Sequence, residues 1–136
     1  MLITKETDYA MRMLRALADG NRITATELAR GEQIPQQFAY KILKKLQKGG
    51  LIHILRGADG GCILAAELKQ VSLLQLIHIM EGDHSVSSCM KPGYQCLWCK
   101  AHNETVCRAH IHLTSIQKKL DEQLEAYSLE KILFGD

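Results

Sequence analysis

The apolar positions open on a helical stripe. In TKETDYAMRMLRALAD, the residues Tyr9, Met13, Leu14 and Leu17 fall at i, i+4, i+5 and i+8, the spacing of a helix with one face in a core. Gly20 ends that segment. Thr24 and Glu27 have capping-box spacing, so a short second helix is expected through LARGEQ. Pro35 marks the first turn of a third helix, whose buried face is Phe38, Ile42, Leu43 and Leu46, and Gly49-Gly50 stop it. The period then changes: LIHIL has strand length, RGADGG reads as a turn, and CILAA as a return strand. Ser72 and Gln75 repeat the capping-box spacing and open a helix to about Met80. Residues 82–104 show no helical period. From about Thr105, the positions Ala109, Leu113, Ile116, Leu120, Leu124 and Tyr127 recur every three or four residues, which predicts a long amphipathic helix.

Helix, short helix, helix and hairpin make a winged helix-turn-helix. The expected fold is therefore mainly α with a small β-hairpin wing. The winged helix-turn-helix spans 1–81, a cysteine-rich loop 82–104, and a dimerisation helix with a C-terminal segment 105–136. That last helix is longer than one small domain needs for itself, which points to a homodimer.

Composition sharpens the class. A chain of 136 residues suits one domain or a small domain with an oligomerisation element. No apolar run approaches the roughly 20 residues of a membrane span, and MLITKETDYAMRML lacks the uninterrupted apolar core of a signal peptide. A cytoplasmic protein without structural disulfides is the expectation. Net charge is only +2, but residues 1–60 hold ten Lys/Arg against six Asp/Glu, and residues 61–136 hold seven against nine. The basic excess lies in the half with the helix-turn-helix pattern, as a DNA-binding protein requires.

Lys41, Lys44, Lys45 and Lys48 share one face of the third helix, away from Leu43 and Leu46. A lysine stripe alone is more often a solvated face. Here it follows a helix-turn-helix and precedes an Arg-Gly-x-x-Gly-Gly hairpin, and that combination favours double-stranded DNA. The lysines would neutralise phosphates while Gln36, Gln37 and Tyr40 offer groups to base edges in the major groove. Arg56 would reach a minor groove, with Gly57, Gly60 and Gly61 letting the backbone approach the duplex.

Four of the five cysteines, Cys89, Cys96, Cys99 and Cys107, fall within nineteen residues, and His110 follows three residues later. Crowded thiols in a reducing compartment read as ligands for a soft metal centre, iron–sulfur or zinc. Bare thiols acting as a switch for redox state or sulfur metabolites are a further reading. Cys62, on the return strand, reads as a small buried hydrophobe. His53, His78, His84, His102 and His112 show no paired ligand spacing and read as surface or packing residues. No Ser/His/Asp constellation, glycine-rich phosphate loop or second cofactor motif supports an enzyme.

TDYAMRML, PQQFAYKILKKLQKGGLI and the RGADGG wing followed by a cysteine cluster resemble the winged-helix iron–sulfur transcription regulators of the IscR/NsrR family, from Leu2 to about Leu133. The resemblance implies a homodimer crossed by a long C-terminal helix, with the third helix of each subunit in a major groove. It places base contacts on Gln37, Tyr40 and Lys41, the wing arginine on Arg56, and three cluster ligands on Cys89, Cys96 and Cys107. The gap from Cys96 to Cys107 is longer than the family's and contains the additional Cys99. For a fourth ligand the resemblance offers two precedents. One is His110, in the Cys-x-x-His arrangement used for a 2Fe–2S cluster; the other is Asp8 of the partner subunit, used for a 4Fe–4S cluster. Cys99 is a third candidate on chemistry alone, since thiolate is the softest ligand. Asp8 has a plain alternative role as the acidic residue that compensates a helix N-terminus.

Overall fold

The computed structural model describes residues 2–135. Helix α1 (Lys5–Leu17) starts at Thr4, whose side chain accepts from the Glu6 amide, and buries Ala10, Met13, Leu14 and Leu17 completely. Helix α2 (Ala25–Gly31) is capped by Thr24, which accepts from Glu27 N, the first half of the expected box. Helix α3 (Gln36–Lys48) follows a turn through Gln33 (φ 58°). Pro35 stands at its N-cap, one position before the expected first turn. Ala39, Ile42, Leu43 and Leu46 are buried against α1, each large side chain contributing roughly 1.5–3 kcal/mol.

Strands β1 (Ile52–Leu55) and β2 (Gly61–Leu64) pair antiparallel, with Ile52 opposite Leu64 and Leu55 opposite Gly61. The turn between them closes through Gly60 N donating to Gly57 O, 3.0 Å. Gly57 sits at φ 96°, and a Cβ on Gly60 would lie 2.8 Å from the Gly57 carbonyl oxygen. Both glycines are thus required by the turn itself, whatever approaches it. Cys62 is buried on β2, as expected, and burial pushes its thiol pKa up.

Helix α4 (Leu73–Glu81) opens with the predicted capping box, Ser72 and Gln75 each bonding the other's amide, and packs on α1 and α3. The cysteine-rich segment is less irregular than its sequence suggests. It contains one turn of 3-10 helix (Ser88–Met90) and a short helix α5 (Leu97–Ala101), too brief to show a period. Helix α6 (Arg108–Ala126) is the predicted long helix, starting three residues later than expected. It stops at Tyr127, and Ser128 caps a separate helix α7 (Leu129–Phe134). Leu129 N donates to Val71 O and Leu73 N to Tyr127 O, both 2.8 Å, folding the C-terminal segment back onto the start of α4. The α6 stripe also divides: Leu124 is buried and Leu120 packs on the chain's own core, while Ala109 and Ile116 are exposed. No helix of the described residues is long and apolar enough to cross a membrane.

Candidate metal centre and nucleic-acid interface

The four clustered cysteines meet where the 3-10 turn, α5 and the start of α6 converge. Cys89, Cys96, Cys99, Cys107, Tyr94 and His110 line one cleft of about 500 Å³. Local folding explains two of these positions. Cys96 is the N-cap of α5 and Cys107 the N-cap of α6. The Cys96 thiol therefore lies where unpaired amides favour thiolate. The Cys99 amide and thiol and the Trp98 amide hold the Cys96 thiol below its ordinary pKa. Cys99 is pushed up to about 11, first by desolvation and then by the negative charge of Cys96 and Cys107. Cys96 is thus the easiest of the pair to ionise. The Cys89 thiol donates to Ser87 Oγ, and His110 Nδ1 lies 3.3 Å from Cys89 Sγ.

Four thiols and an imidazole around one open cleft are a donor set suited to iron–sulfur or zinc chemistry. Among the described residues, no three His, Cys, Asp or Glu side chains converge closely enough to hold a metal ion as they stand. The residues line the cleft without closing on its centre. Asp8 is elsewhere: it lies on α1, paired to Arg12 at 2.7 Å, outside the residues that line the cleft.

On α3, Gln36, Gln37, Tyr40, Lys41, Lys44 and Lys48 are exposed, and Tyr40 stands 55% clear of the protein. Lys41 and Lys45 are both bound to Glu6 of α1, at 2.6 and 2.8 Å. Lys44, Lys48 and Arg56 make no ion pair among the described residues. Arg22 donates through Nη1 to the Asp59 carbonyl and braces the wing turn. Sequence reasoning missed Glu6 and Arg22, because their partners lie 35 to 39 residues away. It also missed a relay between histidines that lack ligand spacing. His78 Nε2 meets His84 Nδ1 at 2.8 Å, and His84 Nε2 meets Asp121 Oδ1 at 2.9 Å, tying α4 to α6 just ahead of Cys89.

Comparison with known proteins gives this geometry a lineage. The family model Rrf2, described as iron-dependent transcriptional regulator, matches residues 3–134. Protein aau3 of Rhizobium meliloti is 32% identical over 68% of this chain and 62% of its own length. The HTH-type transcriptional repressor NsrR of Streptomyces coelicolor is 37% identical over 65% of this chain and 63% of its own. The chain therefore spans less than two thirds of either relative. Among solved structures, the oxidized form of Staphylococcus aureus CymR superposes with a TM-score of 0.69 at 20% identity, over 98% of this chain and 97% of that one. T. potens IscR superposes with a TM-score of 0.61 at 18% identity, over 96% and 85%. At such identities the two structures confirm the winged-helix fold and nothing finer. The family match extends over nearly the whole chain, and the chain belongs to the Rrf2 family of transcriptional regulators, which are not enzymes.

Proposed function

We propose that this chain is a cytoplasmic, homodimeric DNA-binding regulator whose cysteine cleft holds an iron–sulfur cluster reporting iron, redox state or nitric oxide. The observation that carries the reading is the cleft at the head of α6, where four thiols and His110 gather in a chain of an iron-dependent regulator family. Cys89, Cys96 and Cys107 would supply three ligands. Asp8 of the partner subunit, His110 or Cys99 would complete the set for a 4Fe–4S or 2Fe–2S cluster. When bound, such a group supplies a redox-sensitive and chemically labile centre.

The chain's own residues would do the rest. Cys107 opens α6, and the His78–His84–Asp121 relay joins α6 to α4, which packs on α3. A shift of the cysteine segment would thus be felt at the DNA-facing helix. There Gln36, Gln37 and Tyr40 would read base edges, Lys41, Lys44 and Lys45 would hold phosphates, and Arg56 with the Gly57–Gly60 turn would enter the minor groove. A second copy is supported by apolar side chains that one chain leaves in water: Leu97, Trp98, Val106 and Ile116 are each more than half exposed. The name of the Streptomyces relative supports repression as the mode of action.

Protein purified without oxygen should carry iron and acid-labile sulfide and absorb in the visible. Zinc in place of iron, or no metal at all, would turn the reading toward the same dimer with a zinc or bare-thiol switch for redox state or sulfur metabolites.

A further inference from the structure

Glu6 stands in the first turn of α1 and reaches across to α3. Its two carboxylate oxygens accept separately from two lysines, Oε1 from Lys41 Nζ at 2.6 Å and Oε2 from Lys45 Nζ at 2.8 Å. Two anionic oxygens held against two lysines of one helix face are what a DNA phosphate would present to the same pair. The carboxylate is largely enclosed, its side chain 21% exposed, whereas Lys41 is 57% exposed and its head still meets solvent. Lys45 donates also to the Met80 carbonyl at the end of α4, 2.9 Å.

The charge of Glu6 is not needed to seat α1. That helix is capped by Thr4, fastened to α4 by the Thr4 and Thr7 hydroxyls donating to Glu81, and packed on α3 through fully buried side chains. Ion pairs with an exposed partner contribute little to stability. What Glu6 changes is the electrostatics of the lysine face, cancelling part of the charge on Lys41 and Lys45 while Lys44 and Lys48 remain free of ion pairs among the described residues.

We propose that Glu6 is an internal competitor for DNA phosphate, holding Lys41 and Lys45 in the free protein so that α3 must exchange a carboxylate for a phosphate when it docks. This rests on α3 being the DNA-facing helix. The competitor lowers affinity for every sequence alike, since phosphate contacts carry no base information, and so weakens non-specific binding while leaving the ratio of specific to non-specific affinity unchanged.

The test is fluorescence anisotropy of the full chain on a random-sequence duplex across a salt series. Glu6→Gln should bind on the order of tenfold tighter at low salt, the gain shrinking as added salt screens the internal ion pair that wild type must break, so that log K falls more steeply with log salt in the variant. In a Lys41→Ala/Lys45→Ala background the same substitution should add nothing, which separates competition from the mere loss of one negative charge. Wild-type affinity and slope in Glu6→Gln would overturn the proposal, as would an equal gain in the double-alanine background. A Glu6→Gln protein that loses its helical circular dichroism would overturn it too, because Glu6 would then hold the fold. Lys44→Ala marks the underlying reading: if that variant folds and binds as wild type, α3 is not the DNA face. If it weakens binding while Glu6→Gln is silent, only the competitor fails.

Discussion

A thiol at a helix N-terminus and a thiol beside two others are different reagents, and the cleft holds both. Cys96 is held toward thiolate by the free end of α5, whereas Cys99 is pushed up to about 11 by desolvation and its neighbours. The three-cysteine scheme that the family resemblance implies uses Cys96 and leaves Cys99 out. Cys89→Ser, Cys96→Ser and Cys107→Ser should each abolish visible absorption of the anaerobic protein, and Cys99→Ser should leave it. Of Asp8→Ala and His110→Ala, the one that alters the spectrum and speeds its loss identifies the fourth ligand. A silent result for both, with Cys99→Ser bleached, would make the site all-cysteine. Three carboxylates have lowered pKa values: Glu6, Glu81 and Asp83, the last lowered to about 2 by hydrogen bonds from Ser85 and Lys91. The lysines lower the pKa of Glu6; burial raises that of Glu81, but hydrogen bonds from Thr4 and Thr7 outweigh it and the net shift is also downward. All three folded-state values lie below the unfolded ones, so their contribution is complete above the ordinary carboxylate range and is lost as pH falls through the lowered values. Urea midpoints of Glu81→Gln and wild type should converge below about pH 3 and separate above about pH 5. Equal midpoints throughout would show that the Glu81 carboxylate adds nothing to stability.

At the scale of elements, the winged helix was legible because its signals are local. Thr24 and Ser72 announce their helices by capping, Gly57 and Gly60 announce the hairpin turn, and the 3.6-residue period names the buried faces of α1 and α3. The C-terminal third was legible only in outline. Leu129, Ile132 and Leu133 prolong an apolar rhythm across Ser128, which conceals the break between α6 and α7. The α6 stripe could not show which apolar positions face the chain's own core. Leu120 does, so Leu120→Asp should destabilise the fold by about 3 kcal/mol or more, read as a lowered midpoint in urea. Ile116 is 53% exposed, so Ile116→Asp should leave the midpoint of the single chain unchanged and give monomers in sedimentation velocity. An intact dimer in that variant would move the interface off this face. On the DNA side, Lys44→Ala and Arg56→Ala should each weaken binding to any duplex and flatten the salt slope by about 1. Unchanged slopes would remove those residues from the interface.

For the molecule as a whole, the candidate site was legible in the kind of its residues but not in their placement. Four cysteines and His110 identify themselves by crowding along the chain, and they do line one cleft. The contacts that would connect this cleft to DNA carry no such mark. Glu6 meets Lys41 and Lys45, and His84 meets Asp121, across separations of 35 to 39 residues that only the folded chain brings together. The outcome is a winged helix whose last core helix, cysteine cleft and long helix form one connected body. We propose that this body carries an iron–sulfur cluster as a dimer. Native mass spectrometry of anaerobically purified protein tests it most directly, since it weighs the assembly and its inorganic content together. The predicted result is the mass of two chains plus one iron–sulfur cluster for each. Two chains carrying zinc or nothing, or a single chain carrying a cluster, would contradict it.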